Sequence, residues 1–232
     1  MNPSPPQPIV IFGGFLSYPM LYQSMRRALE AVSGCPVSIV PTRSLDWLSS
    51  VSFAGVARLL DKLHRTVCQA AAGSSTGKIT LVGHSAGGVF SRLYLSPEAF
   101  AGRRYAGLQR VDRLITLGSP HHSQGGLTRG ERISRYADQH LPGAYFSGQV
   151  AYTTVAGKWL RGSLLTTRQA RRAYTVYEQI GGRGDVWGDG LIPLPSALLD
   201  GAEQVILDDV SHFSVFGEPW YGSPETIPLW WN

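Results

Sequence analysis

Lysine is scarce in this chain, three of its 21 basic residues, and cysteine scarcer still, with only Cys35 and Cys68. Two cysteines in apolar surroundings supply no disulfide framework, so small stapled folds are excluded and both thiols are expected to be reduced and structural. No stretch approaches the ~18 consecutive apolar residues that span a bilayer. The opening "MNPSPPQPIVIFGG" has no basic segment ahead of an apolar core. It is therefore not the form of a secretory signal, and the expected location is cytoplasmic. Clusters of Cys and His at ligand spacing are also missing. The adjacent pair His121–His122 lacks the i, i+4 spacing of helical ligands, so neither a metal nor a cofactor is expected. The net charge of +5 comes mainly from arginine. "KWLRGSLLTTRQARRAY" carries Lys158, Arg161, Arg168, Arg171 and Arg172 without an acid. It reads as a solvated helix face, with attraction to an anionic surface as the alternative. No nucleic-acid motif accompanies it, so nucleic acid is not an expected partner.

What is present is an ordinary globular balance, 43% hydrophobic against 16% charged, over a length that suits one domain, residues 1–232. Short apolar runs alternate with longer helical patterns, which predicts an α/β fold with about six mostly parallel strands flanked by helices. The predicted strands are "PIVIFGG", "PVSIVPT", "KITLVGHS", "VDRLITLGSP", "AYTTVAG" and "EQVILDDVSHF". Between the first two, Met20, Leu21, Met25, Leu29 and Val32 fall near helical spacing, with Gly34 as the stop. Phe53, Val56, Leu59, Leu60, Leu63 and Val67 mark a second helical face. A third helix is expected from about Gly87 to Leu95, and a basic one around 166–180. Two stretches, about 121–150 and 158–187, read as inserts, the first without a clean period.

Two segments fit Gly-x-Ser-x-Gly: "GSSTG" around Ser75 and "GHSAG" around Ser85. Ser75 follows a helix and precedes a strand, where glycines commonly end helices and turn the chain. Ser85 has the order a nucleophile elbow requires: strand, tight turn, helix. The glycines leave room for a strained turn that lifts the hydroxyl off the strand end, and the helix aims its positive N-terminus at developing charge. Ser85 is therefore the candidate nucleophile.

A serine needs a base, which in this architecture follows the nucleophile and an acid in the chain. Of the histidines downstream, His212 alone sits just past a late strand, where it reaches the sheet edge from which Ser85 emerges. His121 and His122 are assigned to the pocket rim, and His84 to packing beside the nucleophile. Asp189 in "WGDGLIPL", set between turn-permitting glycines, is the favoured acid, with Asp185 as the alternative. Asp208 and Asp209 lie too near His212 in sequence to reach its far nitrogen. Oxyanion donors are expected from the backbone N–H of Ala86 and, after the first strand, of Phe15 in "IFGGFLS".

Taken together these segments resemble the α/β-hydrolase family, within it the small bacterial lipases and lipase-like esterases. "GHSAGG" is similar to the lipase elbow, "IVIFGGFLS" to the first strand and oxyanion loop, and "LITLGSPHHS" to a further lipase run. "GDGLIPLPSALLDGAEQVILDDVSHF" is similar to the acid-and-histidine segment, with Asp189 and His212 at its motif positions. Gly13 stands where that loop usually carries histidine, which removes a bracing side chain. The likeness covers about two thirds of the chain, and the inserts match nothing in it. With three strands up to Ser85, it implies the compact α/β-hydrolase fold with lid-like inserts. The expected activity is carboxylic-ester hydrolysis of a small acyl ester or lipid through Ser85, His212 and Asp189. A thioesterase or acyltransferase, or a non-catalytic binding protein, is the alternative. Phe15, Leu16, Tyr18 and aromatics of the inserts are expected to shape an acyl site. Trp220, Tyr221, Trp230 and Trp231 are read either as a peripheral lipid contact or as a packed tail.

Overall fold

The structure, a computed structural model, describes residues 7–124 and 129–231. Its strands are β1 (Ile9–Phe12), β2 (Val37–Ile39), β3 (Ile79–His84), β4 (Val111–Leu117), β5 (Ala151–Lys158), β6 (Leu160–Arg161), β7 (Trp187–Gly188) and β8 (Glu203–Asp208). β6 and β7 form a small antiparallel ribbon; the other six make one sheet in the order β2-β1-β3-β4-β5-β8. Every neighbouring pair in that sheet is parallel. All six predicted strands are in it.

Successive side chains of a strand face opposite sides, and a parallel sheet is covered on both. Val10 and Phe12 of β1, with Leu81 of β3 and Leu114 of β4, belong to one apolar cluster. Their neighbours Ile9, Ile11, Val82 and Ile115 belong to the other. The helices are α1 (Gln23–Ser33), α2 (Ser44–Leu48), α3 (Phe53–Ala72), α4 (Ala86–Leu95), α5 (Arg129–His140), α6 (Arg168–Gly181) and α7 (Leu194–Ala197). α3 buries Val56, Leu59, Leu60, Leu63 and Val67 completely, each worth about 1.5–3 kcal/mol. Ser52 caps it through a hydrogen bond accepted from Gly55 N–H. Phe53, in its first turn, is half-exposed and meets Phe100 and Tyr136.

Several expectations are corrected. α1 buries Met25 and Leu29, preceded by Tyr22, whereas Met20 and Val32 are exposed. The region 121–150 holds α5, although residues 125–128 of it lie outside the described residues. Among the described side chains of α5 the buried apolar ones are Ile133 and Ala137, and Leu141 just past the helix continues their stripe at i, i+4, i+8, too narrow a signal amid polar neighbours. α2 was not expected either; it brings Trp47 into the core, where its indole N–H donates to Ser17 C=O at 3.1 Å. Of the two readings of the aromatic tail, packing is what is seen for Trp220, Tyr221 and Trp230, which are buried against the α1 side of the sheet. The basic segment does form a solvated face, with Arg168, Arg171 and Arg172 exposed on α6. Cys35 and Cys68 are free. Among the described residues, no helix is long and apolar enough to cross a membrane.

Candidate active site

β3 ends at His84 and α4 begins at Ala86, leaving Ser85 alone to make the reversal. Its backbone takes φ 55° and ψ −129°, a conformation that costs a non-glycine residue about 1–3 kcal/mol and that surrounding structure must enforce. The enforcement is steric. A Cβ on Gly83 would lie 2.5 Å from Gly88 Cα, so strand and helix approach more closely than any side chain allows. Ser85 N–H is held by Leu117 C=O of β4 at 2.9 Å. The hydroxyl therefore stands at the C-terminal end of the central strand, over the N-terminus of a ten-residue helix.

The loop after β1 closes against it. A Cβ on Gly14 would sit 2.6 Å from Ser85 Cβ, which places the backbone before Phe15 directly beside the serine. Ala86 is the first helical residue, and its N–H has no intrahelical acceptor. At Gly13 the departure from the lipase pattern has a physical replacement. A Cβ there would meet the Tyr22 ring at 2.6 Å. The Tyr22 hydroxyl accepts Gly14 N–H at 3.0 Å and lies 2.8 Å from His84 Nδ1. His84 Nε2 in turn reaches His212 C=O at 3.0 Å. Burial first, then the neighbouring His212, holds His84 well below the usual histidine range. Neutral His84 thus accepts from Tyr22 and donates to His212, tying the loop after β1 to the loop after β8. Burial also lifts the Tyr22 phenol to about 12, keeping it a donor.

His212 Nδ1 and Asp189 Oδ2 are 2.7 Å apart, both residues almost wholly buried. Asp189 lies between β7 and α7. Its Oδ1 accepts the N–H groups of Leu191 at 3.0 Å and Ile192 at 2.7 Å. Its backbone C=O accepts His212 N–H at 2.8 Å, so the two loops are joined twice. Asp185 is elsewhere, exposed and paired with Arg183, whose guanidinium lowers its carboxyl below the usual range. Asp208 pairs with Lys158.

Ser85 and His212 line one cavity of about 250 Å³, whose other walls include Phe15, Leu16, Leu21, Leu191, Phe213 and Phe216. No hydrogen bond joins Ser85 Oγ to His212 among the described residues; in free hydrolases this contact commonly tightens only with substrate. The inserts add no aromatic group to these walls, and Tyr18 is outside them, contrary to expectation. The walls come instead from the loop after β1, the loop after β7 and the segment that follows His212. His121 is not on the rim. It is completely buried, with Nε2 2.9 Å from Thr116 Oγ1 and Nδ1 3.4 Å from Arg92. His122 pairs with Asp138 at 3.0 Å. Sequence reasoning missed Tyr22 and Tyr221, whose hydroxyls reach the site; single tyrosines carry no spacing signal. No group of three or more His, Cys, Asp or Glu suited to a metal ion occurs among the described residues.

The palmitoyl protein thioesterase family matches residues 8–175, a span that holds Ser85 but ends before Asp189 and His212. No curated protein matches the chain. Among solved structures, Aspergillus fumigatus lipase B superposes with a TM-score of 0.51 at 11% identity, covering 89% of this chain and 48% of the lipase. The chain thus spans about half the length of that lipase. An alpha/beta hydrolase enzyme from the metagenome of lagoon sediments at Mar Chica, Morocco, gives a TM-score of 0.48 at 16% identity, covering 91% and 84%. At such identities the likeness is one of fold. The family match over well over half of the sequence goes further: the chain belongs to the palmitoyl protein thioesterase family and is a serine hydrolase of the α/β-hydrolase fold.

Proposed function

We propose that the protein hydrolyses acyl esters through Ser85, His212 and Asp189. The observation that carries this reading is the buried 2.7 Å contact of Asp189 with His212 Nδ1, beside a strained Ser85 in the same cavity. With Nδ1–H committed to the carboxylate, His212 Nε2 is left as the basic nitrogen. It takes the proton as Ser85 Oγ attacks the acyl carbonyl. The oxyanion is held by the N–H groups of Ala86 and Phe15. Collapse transfers that proton to the departing alcohol and leaves an acyl-serine, which water hydrolyses with the same base. The apolar walls, Phe15, Leu16, Leu21, Phe213 and Phe216, suit an aliphatic acyl chain and so a lipid-like substrate.

The family match favours one variation, in which the leaving group is a thiol. A thiolate, with an ordinary pKa of about 8.5, leaves with little need of the proton held on His212. Oxygen and sulfur esters of one acyl chain, compared by kcat/KM, separate the two. A large excess for the thioester makes the protein a thioesterase.

The triad reading is tested by Ser85→Ala. Hydrolysis of a p-nitrophenyl ester is expected to vanish, and labelling by a fluorophosphonate probe with it, while the melting temperature is kept. Near-native activity in the variant overturns the assignment. An unlabelled and inactive native protein makes it a hydrolase-like binder instead.

A further inference from the structure

The Asp189 carboxylate receives one contact that the acyl-transfer scheme does not use. Tyr221, in the tail beyond His212, places its hydroxyl 2.8 Å from Oδ2, the oxygen that also meets His212 Nδ1. The same hydroxyl accepts Gly157 N–H from β5 at 2.7 Å. One side of the phenol oxygen is thus occupied by a donor, so its own proton points at the carboxylate. The ring cannot turn away. Tyr221 is completely buried, its C=O accepts the Trp230 indole N–H at 3.0 Å, and its edge meets the rings of His84 and His212. A Cβ at Gly118 would lie 2.8 Å from the hydroxyl.

We propose that Tyr221 is a positioning residue for catalysis, setting through Asp189 Oδ2 how strongly the carboxylate supports the His212 imidazolium. The inference rests on the triad reading above. A second donor on Oδ2 draws charge from the oxygen facing His212 and fixes the carboxylate plane. Without it, more negative charge faces Nδ1–H and the protonated form of the histidine gains. His212 then holds its proton to higher pH, and the acid limb of kcat/KM moves upward.

Burial foremost, then the Asp189 charge, raises the Tyr221 phenol well above its ordinary value, so it remains a donor throughout the working range. The other titratable groups packed around the pair are otherwise engaged. His84 and Tyr22 bond to each other and to backbone. Tyr177 of α6 accepts Gly190 N–H and donates to Leu160 C=O. Lys158 faces Asp208 and Trp187.

The experiment is a pH profile of kcat/KM, with active sites counted by fluorophosphonate, for the native protein, Tyr221→Phe and a site-specific 3,5-difluorotyrosine at 221. Tyr221→Phe is expected to move the acid limb up by about half a unit. The fluorinated phenol, a stronger donor, is expected to move it down. If Tyr221→Phe does not fold, the fluorinated protein alone decides. Limbs that superimpose in every folded variant, with only the number of active sites changed, overturn the proposal and leave Tyr221 a packing residue. Failure of the underlying triad is distinct: it is seen as activity retained in Ser85→Ala, whatever the profiles do.

Discussion

Asp189 and Asp185 lie four residues apart in one glycine-rich loop, and a sequence offers little to separate them. The structure gives Asp189 two backbone N–H donors and His212, and gives Asp185 solvent and Arg183. Asp189→Asn is therefore expected to lower kcat by about 10³-fold, because the amide neither stabilises the imidazolium nor fixes its tautomer. Asp185→Asn is expected to stay within about twofold, an exposed pair contributing little. Equal losses in steady-state kinetics would refute this division. That Ser85 and His212 meet at one sheet edge could be read ahead of the structure because each follows closely on a strand, and apolar runs mark strand ends. His121 was misread for the same reason. It too follows a strand, but its ring turns inward to Thr116 and Arg92, and no local signal records that turn.

At the scale of elements, six strands and four helices were readable because their apolar residues recur at the period of the backbone. α5 was not, since two buried apolar residues among the described side chains of a twelve-residue helix, continued by Leu141 just past it, are a weak period. What holds α5 is partly remote. Arg92 of α4 is buried, with one amino group donating to Leu141 C=O just past the helix and lying 3.8 Å from Asp138 on it. Apolar contact does the rest. Ile133→Ala is expected to destabilise the protein by about 2–4 kcal/mol through lost burial and a cavity. It should leave kcat/KM unchanged, because no described residue of α5 lines the walls around Ser85. Chemical denaturation and ester kinetics on the same preparation check both halves; a change in kcat/KM of the folded variant counts against the separation.

For the whole molecule, two of the buried histidines set a pH dependence. His84 and His121 both lie well below the ordinary histidine range in the folded state, chiefly through burial, aided by His212 at the first and Arg92 at the second. Above pH ~6.5 they are neutral folded or unfolded and contribute no slope. Below it the unfolded chain binds protons that the folded chain refuses, so stability falls with falling pH. The pair contributes about 2.7 kcal/mol per pH unit once well below that value. Thermal melts from pH 8 to 4.5 should show the loss beginning near 6.5, and His121→Gln should roughly halve its slope. A flat curve would contradict the neutral assignment. At this scale the sequence told the fold class but not the tail, since "EPWYG" has no period and its burial is decided by the sheet face it covers. The tail and the late loops have a temporal consequence. Ser85 is laid down with the first strands, whereas Asp189, His212 and Tyr221 are all translated later. At ~5–20 residues per second, the proposed nucleophile precedes its proposed base by on the order of ten seconds. Under the proposed triad, an elbow that takes shape on the nascent chain still lacks its acid and base, because Asp189 and His212 are translated after it.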